Sequence, residues 1–209
     1  RWTDHGILYE ADPRHAEILA REVGATVPAV RTPGAKGEKG KDSDGDEEPL
    51  DVADTRWFRS GAARANYLAM DRPELAFATK ELCRRMAAPT VADAGALRRV
   101  ARYPIGEPRL VYAFAWQQVG DLRVFVHTDF AGCLRTRRST SGGCAMWGSH
   151  LVKHWSSTQR VVTLSSGEAE LAGIVKGSAE ALGLQSLARD LGFEVQVHVF
   201  ADSSTAIGI

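Results

Sequence analysis

The stretch HTDFAGCLRTRRSTSGG, residues 127–143, decides how this chain is read. It begins at the end of Asp121–His127, which is predicted to be a strand. Side chains two apart share a strand face, so Asp129 lies on the face of His127 if the strand continues. Arg135, Arg137 and Arg138, with Ser139, Thr140 and Ser141, then make a cationic, hydroxyl-rich loop. Such groups suit contacts to phosphate, which position a duplex without reading its sequence, and they equally suit a polar hairpin loop.

Outward from this stretch the chain reads as sheet and helix. Arg109–Trp116 is a predicted strand, with Leu110, Tyr112 and Phe114 alternating, joined to the next by a turn at Gln117–Gly120. Gly142–Trp147 and His150–Trp155 form a predicted hairpin with Gly148-Ser149 as its turn. Ser166–Leu191 is a long helix closed by Gly192, Val195–Ala201 is a strand, and a further helix begins at Ser203. The order β-β-β-β-α-β-α predicts a mixed α/β sheet, because a strand, crossover helix and strand imply parallel pairing. Ligands of such sheets sit outside the carboxyl ends of strands, where His127 and Asp202 both fall.

Two carboxylates compete on the long helix. Ser165-x-x-Glu168 fits a capping box, which gives Glu168 a structural role at the helix start. Glu170 shares its face with Gly173 and Gly177, and those small residues would let the helix lie close to another element. Asp202 ends a strand of valines. It suits a ligand position there, and it also suits a cap on the helix that follows.

The first half is different. Gly6–Glu10 is a predicted strand, followed by a helix from Asp12-Pro13 that Gly24 would end. Residues 33–51, PGAKGEKGKDSDGDEEPLD, hold almost no apolar side chains and are predicted to be a disordered acidic surface loop. Residues 57–103 are predicted helical, with Leu68, Leu75, Phe77, Leu82 and Met86 as the apolar positions. Breaks fall at Asp71-Arg72-Pro73 and Ala88-Pro89-Thr90, and Pro104 ends the last helix. Arg98, Arg99 and Arg102 form its basic face, turned to water or to a phosphate backbone.

Charge separates the regions. Residues 1–55 carry 7 basic and 13 acidic side chains, residues 56–160 carry 17 and 7, and residues 161–209 carry 2 and 6. A basic middle between acidic ends fits contact with a polyanion, or a solvated basic surface. Cys83, Cys133 and Cys144 are odd in number and unpaired by spacing, so no disulfide framework is expected. His150, His154 and Cys144 lack a second cysteine pair for zinc. No apolar run is long enough for a membrane span, and the first residues lack a signal-peptide core.

HTDFAG, RRSTSGG, HWSSTQ (residues 154–159) and LSSGEAEL (164–171), in that order, resemble the ribonuclease H domain of copia-type retrotransposon polyproteins. Upstream, EADPRHAEILARE (10–22) and NYLAMDRPELAFATKELCRRMAAPT (66–90) resemble the end of the reverse transcriptase and its connection to that domain. The polymerase's own double-Asp metal motif is absent. The resemblance implies residues 1–106 as connection region and 107–209 as a ribonuclease H-like domain with a mixed sheet and crossover helices, cut short at its C-terminus. It implies hydrolysis of the RNA strand of an RNA–DNA hybrid by two Mg²⁺ ions, held by acidic side chains because Mg²⁺ is a hard cation.

In that register Glu170 and Asp202 are metal ligands, and His127 stands where the family has its first Asp. Asp129 is the nearest substitute, as ligand and catalytic carboxylate, and the fourth carboxylate would lie beyond Ile209. An imidazole is a poorer Mg²⁺ ligand. The resemblance therefore implies an impaired hydrolase, with Arg135, Arg137, Arg138 and Ser139 as the nucleic-acid contacts. The implied partners are the hybrid and the rest of the polyprotein, inside the cell in a cytoplasmic particle or the nucleus. The alternatives are a catalytically silent nucleic-acid-binding module and a decayed copy that does not fold cooperatively.

Overall fold

The computed structural model describes residues 1–23, 28–34, 48–133 and 135–204. The predicted helix end at Gly24, most of the acidic loop and the helix after Ser203 fall outside the described residues. The chain forms two compact units, Tyr9–Tyr112 and a second made of Arg1–Leu8 with Ala113–Ile209. The fold is mixed α/β, as the alternation of strand and helix signals predicts.

Among its described residues the first unit has four α-helices, α1 (Pro13–Val23), α2 (Val52–Leu68), α3 (Ala76–Arg84) and α4 (Val91–Gly106), and a 3-10 turn at Pro73–Leu75. Three of the starts have a cap in the sequence. Asp12 accepts from the Arg14 amide, and the guanidinium of Arg14 holds the Asp12 carboxyl down to about 2. Asp51 caps α2, and Thr90 with Asp93 forms a reciprocal capping box on α4. The core joins Leu19, Phe58, Leu68, Leu75, Leu82, Leu97 and Val100. Burying a Leu, Val or Phe side chain stabilises by roughly 1.5–3 kcal/mol.

One sequence expectation fails in this unit, the helix end at Pro104, and two others are sharpened. Phe77, placed at core spacing, is 43% exposed and lies under Lys80 Nζ. Pro104 does not end α4; the helix runs on to Gly106 with Pro104 buried. A proline so near a C-terminus deprives only one carbonyl of its donor, and core burial outweighs that loss. The arginine face of α4 stays partly open to water, with Arg98 exposed over Trp57, while Arg99 donates to Thr32 and Arg102 to the Pro28 carbonyl.

Seven strands are found among the described residues. β1 (Trp2–Thr3), β2 (Gly6–Glu10) and β3 (Val111–Ala115) form a three-stranded sheet in that order. The second unit centres on β4 (Leu122–Asp129), β5 (Thr140–Trp147), β6 (His150–Thr158) and β7 (Val197–Ala201), ordered β6-β5-β4-β7. β4, β5 and β6 run antiparallel in sequence, and β7 joins β4 in parallel. The expected pairing of β3 with β4 does not occur. β5 and β7 occupy both edges of β4, so β3 has no free ladder there.

The crossover is α5 (Ser166–Asp190), closed as expected by Gly192 at a φ of 85°. Leu122, Val124 and Val126 of β4 point into the core with Ala145 and Ala181. A β-carbon on Gly173 would collide with Thr128 Oγ1, and one on Gly177 with a methyl of Val126. These two glycines set the distance of α5 from β4, and so the place of Glu170 one turn earlier.

Candidate metal centre

Three side chains from three elements meet at the carboxyl end of the β4–β7 pair. Val126 and Ala201 are register partners, so the next residues, His127 and Asp202, emerge side by side. His127 Nδ1 lies 3.1 Å from Asp202 Oδ2 and 3.9 Å from Glu170 Oε1. One ligand atom from each of the three lies within 4.8 Å of the others, the cluster of this kind found among the described residues.

Glu170 is the anchored member. Its side chain is 10% exposed, against 71% for His127 and 67% for Asp202. Oε1 accepts from the Thr128 backbone amide at 3.1 Å, while Oε2 is shielded from solvent and has no hydrogen-bond partner. Glu168 does other work. Its amide donates to Ser165 Oγ and its carboxylate accepts from the Leu164 amide at 2.6 Å, which fixes the start of α5.

Asp129 is not a member of this cluster. It shares the strand face of His127, yet its carboxylate is folded over Gly132, where a β-carbon would overlap it. The chain turns there through Ala131, whose φ is 50°. Period-two alternation predicts the side on which Asp129 starts and not the turn that captures it.

The basic loop divides in two. Arg135, Arg137 and Arg138 are all exposed. Ser139 is fully buried: its Oγ accepts from the Ala131 amide at 3.0 Å and shares a hydrogen bond with Thr163 Oγ1. It holds the loop's shape and is withdrawn from the surface on which its polarity had suggested it. Sequence reasoning misses Gln159 altogether. It donates to Ser141 Oγ and to the Ala169 carbonyl, tying β5 to the first turn of α5. The available signal is the polar run Ser156–Gln159 at the end of β6, just past Trp155, since buried polar groups are retained with partners.

The histidines and cysteines elsewhere are engaged differently. His150 contacts Gln117 and the Ala115 carbonyl. Burial pushes the thiols of Cys83 and Cys144 above the ordinary range, which disfavours the reactive thiolate.

Comparison with known proteins places the chain. It is 31% identical over 179 residues to the retrovirus-related Pol polyprotein from transposon RE2 of Arabidopsis thaliana, covering 86% of this chain and 12% of that one. The chain belongs to the copia-type retrotransposon polyproteins. The Pol polyprotein from transposon RE1 of the same plant matches at 29% identity with the same coverage. An uncharacterized mitochondrial protein of Arabidopsis thaliana matches at 35% identity over 125 residues, 59% of this chain and 51% of its own length. The chain thus spans about half of one relative and about an eighth of the two Pol polyproteins. No family profile and no solved structure matches it. Relatives named as polyproteins fit the expectation that this copia-type segment works joined to further polyprotein chain. Among its described residues no helix is long and apolar enough to cross a membrane.

Proposed function

We propose that residues 107–209 carry a ribonuclease H-type domain that binds RNA–DNA hybrids and hydrolyses them little or not at all. The fold supports the first part. An antiparallel run β4-β5-β6, the crossover α5 and parallel β7 are the mixed sheet the resemblance implies, and they bring Glu170 and Asp202 to one strand end. Arg135, Arg137 and Arg138 sit on the loop that follows β4 in the same unit. They would contact phosphates and so contribute an affinity that falls with salt.

The observation that carries the second part is His127 between Glu170 and Asp202. A pair of Mg²⁺ ions needs oxygen ligands on both sides of the scissile phosphate. The cluster offers an imidazole in that position, and the Asp129 carboxylate lies over Gly132, outside the cluster. These residues do not fit a two-Mg²⁺ centre, so no hydrolytic step follows from them. What the chain's own groups supply is binding: backbone amides and Glu168 rigidify α5, the buried network of Ser139, Ser141 and Gln159 fixes the loop, and the loop arginines meet the phosphates.

The test is a purified chain with a labelled RNA–DNA hybrid. Binding at low salt without Mg²⁺, and cleavage in Mg²⁺ far below that of a relative with the full carboxylate set, is the expected result. Cleavage at a matching rate, or no binding at low salt, overturns the reading.

A further inference from the structure

We infer that His127, Glu170 and Asp202 form a mononuclear site for a borderline divalent cation of the zinc class, in place of hard Mg²⁺. The inference takes from the proposed function only that this strand end is a metal corner, and it names the metal. Two observations carry it independently.

The first is the donor set. One imidazole nitrogen and two carboxylate oxygens, from β4, α5 and the residue after β7, leave a further position open to solvent. Three protein ligands with an open fourth position is a recurrent arrangement for zinc, and imidazole favours such metals over Mg²⁺. The spacing suits it. A tetrahedral site with bonds of roughly 2.0–2.1 Å has ligand atoms about 3.3 Å apart. The pairs from His127 stand at 3.1 and 3.9 Å. Small rotations of the two exposed side chains would close the set.

The second is the buried carboxylate. Glu170 Oε2 is shielded from water and has no hydrogen-bond donor, although the side chain belongs to the cluster. A buried carboxylate oxygen without a donor is costly, and a cation on its exposed neighbours satisfies it. The His127–Asp202 hydrogen bond alone accounts for those two residues and leaves Glu170 Oε2 unserved.

The experiment is calorimetric titration of chelator-treated protein with Zn²⁺ and, separately, with Mg²⁺, supported by the visible spectrum of added Co²⁺. A single equivalent of Zn²⁺ should bind on the order of a hundredfold more tightly than Mg²⁺. His127→Ala and Asp202→Asn, both at exposed positions where the fold tolerates change, should each weaken Zn²⁺ by more than about tenfold. Glu170→Gln should do the same, with far-ultraviolet circular dichroism checking that it folds. His198→Ala, outside the cluster, should leave Zn²⁺ binding unchanged. Comparable affinity for the two metals, or Zn²⁺ binding indifferent to His127→Ala and Asp202→Asn, overturns the inference. Absence of zinc binding with hybrid binding intact sinks this inference alone. Zinc binding without hybrid binding sinks only the proposed function.

Discussion

The backbone amide of Thr128 donates to Glu170 Oε1 at 3.1 Å, so the strand that carries His127 also holds the helix carboxylate facing it. Both groups are buried. Glu170→Ala would leave that amide without an acceptor, at a cost of about 1–3 kcal/mol. Glu170→Gln keeps an acceptor in place and should stay closer to the parent. Urea unfolding of the two variants checks this. Equal destabilisation of both would mean that the charge, and not the hydrogen bond, holds the two elements together.

The glycines of α5 give predictions of opposite sign. Gly173→Ala and Gly177→Ala push a methyl into Thr128 and Val126, and each should destabilise by roughly 1–3 kcal/mol. A β-carbon at Gly183 meets nothing. Gly183→Ala should therefore stabilise by about 0.5–1 kcal/mol through helix propensity alone. Thermal unfolding of the three separates packing from propensity.

The basic loop should split into binders and supports. Replacing Arg135, Arg137 and Arg138 by alanine should flatten the dependence of hybrid affinity on salt, by somewhat under one unit of log–log slope for each phosphate no longer neutralised. Ser139→Ala should leave that slope alone and lower stability by about 1 kcal/mol, because its buried hydroxyl bridges Ala131 and Thr163. Fluorescence anisotropy across a salt series reads the first effect and denaturant titration the second. A slope that moves with Ser139→Ala and not with the arginines reverses the assignment.

Alkaline pH should destabilise the first unit through Tyr112. Burial first, then the nearby Glu74 and Asp71 carboxylates, push its phenol up to about 12, and its hydroxyl donates to the Asp71 carbonyl at 2.9 Å. The raised value means that the folded chain keeps a proton which the unfolded chain loses near the ordinary phenol value of 10.0. This contribution is fully present below that pH and is lost as pH rises towards about 12. Tyr112→Phe should begin less stable at neutral pH and decline less steeply across the window. Parallel slopes for parent and variant would show that Tyr112 has no part in the effect.

Much of the sheet was legible because its signals are local. Asp121–His127 read as the strand that became β4, the Gly148 turn marked the β5–β6 hairpin, and the spacing of Gly173 and Gly177 from Glu170 marked the helix face that approaches the strand. What escaped the sequence depends on competition or on capture. The partner of β3 depends on whether β4 has a free edge, and it has none. Asp129 begins on the right face, but its carboxylate lies over Gly132 and outside the cluster. Ser139 reads as surface chemistry because serine is polar, yet its partners come from residues 131 and 163, beyond any local pattern. Pro104 reads as a stop, and only core burial tells that the helix outlasts it.

The division of the chain bears on how it reaches this state. Arg1–Leu8 belongs with Ala113–Ile209, so Tyr9–Tyr112 is an insertion within the sequence of the other unit. Within the insertion, the rings of Tyr9 and Tyr112 come to 6.3 Å of each other. Trp116, just past its end, donates a backbone hydrogen bond to His5, just before its start. Closing a loop of about a hundred residues costs entropy that grows only with the logarithm of length, but that cost must be met before the pairing rewards it. A helical insertion that folded first would meet that cost early, because it brings Tyr9 and Tyr112 together. Severing the chain at residue 106 would separate β3 from β2, the strand it pairs with, and turn an intramolecular pairing into an encounter of two chains.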